Sequence, residues 1–540
     1  MGPFRLDGLA GRLGTACLLA LALALASPPA HALDRAAAAA MAGGSAGERI
    51  AAIQAAVAEP DATLAAFLQA MLEGRVRLLD GRAIVVEEDG SARDAVDGTP
   101  VDRVDQARSV VNNNRMRREL GNAIASLELF APEDEVRLAA ARRIADKPDA
   151  ARLPLMERAL AEERVAGIRA LLAQARAAVL VTSPDRSLRL AAARDLGSSR
   201  EPAVRALLEE RLHGARPEED EEVRKALASS LAAVSARVAL GEYAATIFAG
   251  VSLGSILLLA ALGLAITYGL MGVINLAHGE LVMIGAYATW LTQQFFRANL
   301  PERFDAYLLA AIPVSFLVAA AVGAVLERLV IRHLYGRALE TLLATWGISL
   351  ILMQAVRSLF GAQNVAVENP SWLSGGLVIL PNLVLPWNRI AIIVFALLVV
   401  ATVALLLART RLGLFVRAAT QNRTMARCVG VPTARVDTLA FALGAGVAGL
   451  AGCALSQVGN VGPDLGQGYI VDSFMVVVLG GVGQIAGAVY AGLGLGVFNK
   501  LLEGMAGAVI AKILLLVLII VFIQKRPQGI FALKGRSAEA

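Results

Sequence analysis

Seven polar residues in or beside the apolar stretches of the second half of the chain could contact a solute. They are Asn275, His278, Glu280, Gln457, Asn460, Asp472 and Gln484. A polar group at membrane depth is costly, so each of these residues is a candidate for binding a solute. Their amide, imidazole and carboxylate groups predict a hydrogen-bonding path for a small neutral or zwitterionic molecule. For Glu280 and Asp472, a position at the membrane interface or at a helix N-terminus is an alternative interpretation.

A second group of residues suits contact with a soluble partner. Six arginines lie from Arg409 to Arg435, and the flank of this stretch has a single acid, Asp437. A basic loop between apolar spans stays in the cytoplasm. Within it, residues 417–430 have the mixed apolar and polar pattern of a helix that docks in a groove of a partner. The stretch therefore predicts a cytoplasmic docking helix.

Nine apolar stretches predict the helices that must position these residues. They cover 244–268, 279–296, 306–328, 338–358, 389–408, 436–457, 471–483, 485–501 and 506–523. The two stretches on either side of Gly483 are short, so they are either crossings or re-entrant half-helices. The glycines Gly480, Gly481, Gly483 and Gly487 predict close helix packing or a hinge at this point.

The first residues predict that part of the chain is exported. Arg5 and Arg12 precede an apolar run that ends in a small-x-small sequence at residues 30–32, so residues 1–32 are expected to be a cleaved signal peptide. An uncleaved first membrane helix is the alternative. Basic residues at 328–337, 409–435 and after 525 mark cytoplasmic segments. This topology places a domain of residues 33–237 in the periplasm and a membrane domain of residues 240–535 in the inner membrane.

The exported half predicts a helical repeat. Residues 137–142 and 189–194 both read Arg-Leu-Ala-Ala-Ala-Arg, and two helix-like runs follow each of them. Such a recurrence indicates a short HEAT- or armadillo-like array, with simple composition bias as the alternative. Asp80 and Gly81 lie between two alternating runs, which predicts a β-hairpin. The expected fold is therefore all-α: a polytopic membrane domain of eight or nine segments after an exported helical domain with a small β-hairpin.

Composition and missing motifs exclude several classes of function. The chain has 540 residues, is 56% hydrophobic and carries a formal net charge of +5. The basic excess flanks the predicted spans, so it does not indicate a nucleic-acid partner. The sequence has no G-x-x-x-x-G-K-[ST], H-E-x-x-H or G-x-S-x-G motif. We therefore expect neither an enzyme, nor a metal site, nor a cofactor bound by this chain.

Three separated motifs resemble those of the branched-chain amino-acid type ABC permeases. They are residues 269–280 with Gly285-Ala-Tyr287, residues 417–430 and residues 478–488. The resemblance covers about 240–535 and implies a membrane permease that pairs with a second, homologous permease subunit. It also implies two cytoplasmic ATPases, which bind ATP and magnesium, and a periplasmic solute-binding protein.

Features of the exported half resemble the urea-transporting members of that family. These features are the signal peptide, the long exported domain, and residues 72–82 and 112–120. The resemblance makes urea the expected cargo, while branched-chain amino acids or short amides are the alternative. A membrane-anchored receptor is the competing class, and the docking helix argues against a passive channel.

The resemblance also makes the docking helix the segment that receives the motion of the ATPases. The residues concerned are Arg417, Ala418, Ala419, Asn422, Arg423, Ala426 and Gly430. Arg417-Ala-Ala stands where the family has a Glu-Ala-Ala motif, so the acidic residue of that motif is missing here.

Overall fold

The computed structural model describes residues 33–58, 62–87, 90–102, 106–272 and 275–531. The expected signal peptide, residues 1–32, lies outside them. The chain forms two compact units, which divide between Arg237 and Val238. The described residues are mostly helical, so the predicted fold class is confirmed.

The first unit consists of short helices and one small sheet. Its helices are α1 (Arg35–Ala42), α2 (Ala46–Ala58), α3 (Ala62–Leu72), α4 (Asn114–Glu128), α5 (Asp134–Asp146), α6 (Leu153–Glu162), α7 (Ala166–Leu180), α8 (Arg186–Leu196), α9 (Pro202–His213) and the start of α10 (Glu221–Met271). Its strands are β1 (Val76–Leu79), β2 (Arg82–Val86), β3 (Ala92–Asp94) and β4 (Arg108–Ser109). Apolar side chains of α1–α4 form one core around Met71 and Leu120, and those of α5–α7 form another around Ile144 and Met156.

The predicted β-hairpin is confirmed. Strands β1 and β2 pair antiparallel, with Val76 opposite Val85. Asp80 and Gly81 at the turn have φ angles of 48° and 79°, as a two-residue turn of the primed type requires. Two very short strands, which the sequence did not predict, complete a sheet of order β3-β2-β1-β4. They supply the neighbouring strands that an isolated hairpin would lack.

The predicted helical repeat is confirmed by one contact that occurs twice. Arg137 donates from Nε to Oε2 of Glu163 at 2.9 Å and from Nη1 to the carbonyl oxygen six residues earlier at 2.9 Å. Arg189 makes the same two bonds, to Oε2 of Glu218 at 3.1 Å and to the carbonyl oxygen six residues earlier at 3.1 Å. Both glutamates are buried. In each repeat the arginine thus links the first helix to the loop that precedes the third helix.

The second unit contains long apolar helices and one exposed hairpin. In chain order, its helices and strands are the rest of α10, α11 (His278–Asn299), α12 (Tyr307–Leu329), α13 (Ala338–Phe360), β5 (Gly376–Leu380), β6 (Leu383–Pro386), α14 (Trp387–Arg409), α15 (Arg411–Gln421), α16 (Arg423–Cys428), α17 (Thr433–Ser456), α18 (Leu465–Gly480), α19 (Ile485–Ala506) and α20 (Ala508–Lys525). Among the described residues, seven helices are long and apolar enough to cross a membrane: α10, α12, α13, α14, α17, α19 and α20. The polytopic membrane architecture is therefore confirmed.

Helix α17 forms the centre of this unit, with 83% of its apolar span buried. Glycines allow its backbone to touch its neighbours. A Cβ on Gly444 would lie 2.6 Å from the carbonyl oxygen of Gly263 on α10, and a Cβ on Gly452 would overlap the carbonyl oxygen of Val282 on α11. Small residues permit this close approach of helices in a membrane.

The glycines around residue 483 form a tight turn between α18 and α19. Gly481 and Gly483 have φ angles of 98° and 75°, which favour glycine. A Cβ on Gly480 would lie 2.6 Å from the carbonyl oxygen of Gly487, and a Cβ on Gly269 would lie 2.7 Å from Cα of Gly483. Helix α18 has 16 residues and α19 has 22, so of this pair only α19 has the length of a full crossing.

Candidate functional site

Helix α11 begins beside the middle of the membrane part of α10 and not beside its end. Helix α10 ends at Met271, and Gly272 has a φ angle of 65°. Helix α11 begins at His278, whose Nε2 lies 2.9 Å from the carbonyl oxygen of Ala260. Met271 lies eleven positions after Ala260, which is about 16 Å along a helix. The start of α11 therefore lies within the depth of the α10 span.

Helix α18 begins against this same point. Gly279 and Gly466 are in backbone contact, and a Cβ on Gly466 would lie 2.9 Å from the amide nitrogen of Glu280. The first amide N–H groups of a helix lack an intrahelical acceptor, and the helix N-terminus carries partial positive charge. Because two N-termini meet here, the site favours electron-rich atoms such as carbonyl or carboxylate oxygens.

Three of the seven predicted solute-path residues lie together at these helix starts. Asn275, His278 and Glu280 are each at most 2% exposed. Oδ1 of Asn275 accepts from the amide of Ala277 at 3.0 Å, and Oε1 of Glu280 accepts from Ser349 Oγ at 2.9 Å. The amide nitrogen Nδ2 of Asn275, Nδ1 of His278 and Oε2 of Glu280 have no hydrogen-bond partner in the described part of the chain. Since Nε2 of His278 must donate to a carbonyl, the unpaired atoms are one donor and two acceptors.

The other four predicted residues lie elsewhere in the unit. Gln457 follows α17, where its Oε1 accepts from the hydroxyl of the first residue of α12 at 3.2 Å. Asn460 is exposed, and Gln484 immediately precedes α19. The carboxylate of Asp472 lies 3.8 Å from Nζ of Lys512 on α20. A solute-binding role for any of the seven residues remains a prediction.

Asn275, His278 and Glu280 are here called the solute cluster, and two hydroxyl groups of α13 bind to it or to the adjacent Leu276. Neither hydroxyl residue was among the predicted site residues. Thr345 Oγ1 accepts from the amide of Leu276 at 3.2 Å, and Ser349 donates to Glu280. Together with Thr341 they form a buried series at every fourth residue. This spacing places the three hydroxyls on one face of a helix, so the sequence did contain a signal for them.

The predicted docking run is two helices, α15 and α16, rather than one. Helix α15 ends at Gln421 and α16 begins at Arg423 because Asn422 between them is extended, with φ −153° and ψ 101°. The side chain of Asn422 then caps α16 by accepting from the amide of Met425 at 2.9 Å. The role of Asn422 is thus to break the run and to begin the second helix.

Helices α15 and α16 together, here called the docking segment, have one buried and one exposed apolar face. Ala419 and Ala426 are buried. Met425 and Val429 are 60% and 71% exposed. Gly430, which follows α16, has a φ angle of 88°. Exposed apolar side chains among arginines suit the groove of a partner protein.

Two arginines fasten the docking segment to membrane helices. Nη1 of Arg417 donates to the carbonyl oxygen of Leu407 on α14 at 3.0 Å. Arg423 forms an ion pair with Asp437 on α17. Ala418 beside them is half-buried. A displacement of the segment would therefore act on both helices.

The family described as "Branched-chain amino acid transport system / permease component" matches residues 246–523, more than half of the chain. The chain belongs to this family. It is thus a multi-pass membrane permease component of an ABC transporter, and membership implies ATPase and solute-binding partners. The family resemblance seen in the sequence is confirmed.

Relatives of known description match about half of this permease. The high-affinity branched-chain amino acid transport system permease protein BraD of Pseudomonas aeruginosa is 31% identical over 287 residues, which are 52% of this chain and 93% of BraD. The corresponding protein LivH of Escherichia coli K12 is 31% identical over 291 residues, with 52% and 93% covered. A probable LivH of Methanocaldococcus jannaschii is 26% identical over 291 residues, with 51% and 88% covered. No solved structure matches the chain.

Proposed function

We propose that this chain is the inner-membrane permease subunit of an ATP-driven importer, and that its solute path passes the meeting point of α11 and α18. The observation that carries the proposal is the backbone contact of Gly279 with Gly466 beside the unpaired Oε2 of Glu280. Helices that begin near the membrane midplane and point their N-termini at one site are a known way to bind a solute. The family membership supports the transport class.

The charge distribution supports one orientation. The arginines of the docking segment lie on the cytoplasmic side under the positive-inside rule, as do Arg328 and Arg332 at the end of α12. Residues 33–237 then form a periplasmic domain, residues 240–535 form the membrane domain and residues 1–32 act as the signal peptide. The complete importer contains a second permease subunit, two ATPases that bind ATP and magnesium, and a periplasmic solute-binding protein.

The proposed transport cycle is alternating access. The binding protein delivers the solute to the periplasmic face, and the solute reaches the groups at Asn275, His278 and Glu280. ATP-driven closure of the ATPases displaces α15 and α16, whose exposed Met425 and Val429 contact the ATPases. The displacement opens the path toward the cytoplasm.

Urea is the cargo that we propose. It has one carbonyl acceptor and two amide groups that donate. The helix N-termini supply donors for its carbonyl, while Oε2 of Glu280 and Nδ1 of His278 accept from its N–H groups. A neutral solute needs no counter-charge at this depth. This fits the solute cluster, since Asn275, His278 and Glu280 include no arginine or lysine.

Branched-chain amino acids are the second candidate cargo. The relatives BraD and LivH are named as branched-chain amino acid permeases, which favours this cargo. Chemically, the two helix N-termini suit a carboxylate, and the Glu280 side chain suits an ammonium group. The two cargoes therefore call for a direct comparison.

The deciding experiment is ATP-dependent uptake of labelled urea at micromolar concentration, with and without this gene, in cells whose urease is disabled. Excess leucine and excess acetamide serve as competitors. We expect uptake that is lost on deletion, is restored by the intact gene and is unaffected by leucine. Competition by leucine, together with gene-dependent uptake of labelled leucine, would assign the amino-acid cargo. Uptake of neither solute by a complete importer would overturn the proposed function.

A further inference from the structure

A buried carboxylate lies beneath the docking segment. Glu327, in the last turn of α12, is fully buried. Its Oε2 accepts from Thr438 Oγ1 at 2.6 Å and from Nη2 of Arg332 at 3.1 Å, and its Oε1 accepts from the hydroxyl of Tyr335 at 3.1 Å. Glu327 thereby joins α12, α17 and the turn that precedes α13. None of these four residues belongs to the solute cluster or to the docking segment.

Tyr335 connects this carboxylate to the docking segment. The guanidinium carbon of Arg423, the first residue of α16, lies 4.9 Å from the centre of the Tyr335 ring. The same arginine forms the ion pair with Asp437, which is 2% exposed. The planar guanidinium is thus held between an aromatic face and a carboxylate, an arrangement that lysine does not reproduce.

Tyr335 also touches the end of α10. Its hydroxyl oxygen lies 3.3 Å from Sδ of Met271, the last residue of that helix. The adjacent Leu270 packs against Ala419 of α15. Both helices of the docking segment therefore act on the last turn of α10, α15 by direct packing and α16 through Tyr335.

The last turn of α10 is also the start of the break that leads to the solute cluster. Gly272 follows Met271 with a positive φ angle, and Asn275 of the cluster lies three residues further on. The contacts thus lead from Arg423 through Tyr335 to Met271, and Asn275 follows Met271 four positions later in the sequence.

We propose that Tyr335 is a positioning residue that transmits the motion of the docking segment to the break between α10 and α11. Glu327 holds its hydroxyl, Arg423 moves its ring, and Met271 receives the displacement. The inference rests on the proposed function, because it needs ATPases that push on α15 and α16. It adds a specific route of coupling that the docking segment by itself does not define.

The test compares Tyr335→Phe with the wild type in the complete importer, purified through a tag on this chain and reconstituted in vesicles. The variant keeps the ring beneath Arg423 and removes only the hydroxyl. Solute transported per ATP hydrolysed is measured with the labelled cargo established for the wild type. We expect this ratio to fall about tenfold, the factor that corresponds to losing a hydrogen bond to a charged group. ATP hydrolysis itself should change less than about twofold.

Tyr490→Phe is the matched control, because Tyr490 is 67% exposed and its ring stacks on Phe531 at a centroid distance of 5.7 Å. Its ratio should equal that of the wild type. If Tyr335→Phe lowers the yield of assembled complex, Arg423→Lys decides by the same ratio, since it keeps the charge opposite Asp437 and loses the planar contact with the ring.

An unchanged ratio in the deciding variant overturns the inference while the proposed function stands. A wild-type importer that moves no cargo with ATP overturns both. A lowered ratio with normal ATP hydrolysis supports the inference, since a general loss of structure would lower both activities.

Discussion

Gly279 and Gly466 lie in different helices, far apart in the chain, and touch through their backbones. A Cβ on Gly466 would lie 2.9 Å from the amide nitrogen of Glu280, and one on Gly279 would lie 3.2 Å from Cβ of Ile470. No side chain fits between the two helix starts. This contact brings the N-terminus of α18 to the backbone amide of Glu280 in the first turn of α11, so the meeting of the two N-termini depends on two residues that have no side chain.

Gly466→Ala should displace the starts of α11 and α18 from each other. The added methyl group overlaps backbone atoms that cannot rotate away, and overpacking of this kind costs about 1–3 kcal/mol. We expect the variant to reach the membrane, to unfold at a lower temperature and to lose most of its transport. The measurements are thermal unfolding in detergent and uptake of the labelled cargo.

Gly468→Ala is the control for this substitution. Gly468 lies in the same helix, and a Cβ there would meet no atom within 4 Å. Its stability and transport should match the wild type. Equal behaviour of the two alanine variants would show that the close contact at Gly466 is unimportant.

Glu280→Gln should strongly reduce transport without disturbing the fold. Glutamine has nearly the size of glutamate and can still accept from Ser349, but it replaces the unpaired Oε2 by a donor or removes the charge from it. Either cargo then loses an acceptor for its N–H groups, and uptake should fall about tenfold or more. Assembly with the ATPases, measured by co-purification, should be unchanged.

Glu503→Gln provides the comparison, because Glu503 pairs with Lys500 at 2.7 Å on α19, outside the cluster. Both side chains are about one-third exposed, and ion pairs that water can reach contribute little, so this variant should transport normally. Full transport by Glu280→Gln would remove Glu280 from the solute path.

Features that arise from neighbouring residues were the ones that the sequence could predict. Asp80-Gly81 between alternating strands determined the hairpin, because a two-residue turn with positive φ angles needs those residue types. The recurring Arg137 and Arg189 indicated a repeat, and each proved to hold the same kind of buried glutamate. Seven of the nine predicted apolar stretches, all except 279–296 and 471–483, correspond to helices long and apolar enough to span a membrane, because length and hydropathy are local properties.

Features that depend on distant contacts were not predictable from one sequence. The proximity of His278 to Ala260 and of Gly279 to Gly466 results from chain segments that turn back inside the membrane unit. Hydropathy does not indicate at what depth a helix begins. The partner of Asp472 likewise came from a different helix, since Lys512 lies 40 residues later in the chain.

Gly430→Val should uncouple ATP hydrolysis from transport and leave assembly intact. Gly430 has a φ angle of 88°, which a β-branched residue adopts only with strain of about 1–2 kcal/mol. No atom would obstruct the new side chain within 4 Å of its Cβ, so the effect is confined to the backbone at the end of α16. The ratio of solute transported to ATP hydrolysed should fall while the ATPases still co-purify.

Gly459→Val is the companion variant, because Gly459 also has open space around it and its φ angle is not positive. It should couple normally. Normal coupling by Gly430→Val as well would contradict a coupling role for the end of α16.

The stability of the first unit should fall in acid because of its two buried glutamates. The hydrogen bond from Arg137 lowers the pKa of Glu163, against a smaller opposing effect of burial. Burial raises the pKa of Glu218, but the bonds and charge of Arg189, with Arg211, outweigh it, so that pKa too lies below the usual 4.5. Both groups therefore stabilise the folded state above pH 4.5, and this stability is lost as the pH falls through their lowered folded pKa values.

The variant Glu218→Gln isolates this contribution. It leaves Arg189 and Arg211 without their carboxylate, so α8 and α9 should lose protection against hydrogen exchange at neutral pH. At each pH, down to about pH 3, the hydrogen-exchange rates of the variant and of the wild type are compared with those of unstructured peptides. The difference in protection between the variant and the wild type should shrink toward acid, because the wild-type glutamate then becomes neutral as well.

Glu162→Gln, in an exposed pair with Arg158, should differ little from the wild type at any pH. A difference for Glu218→Gln that stays constant over the whole range would mean that the ionised carboxylate does not stabilise the repeat.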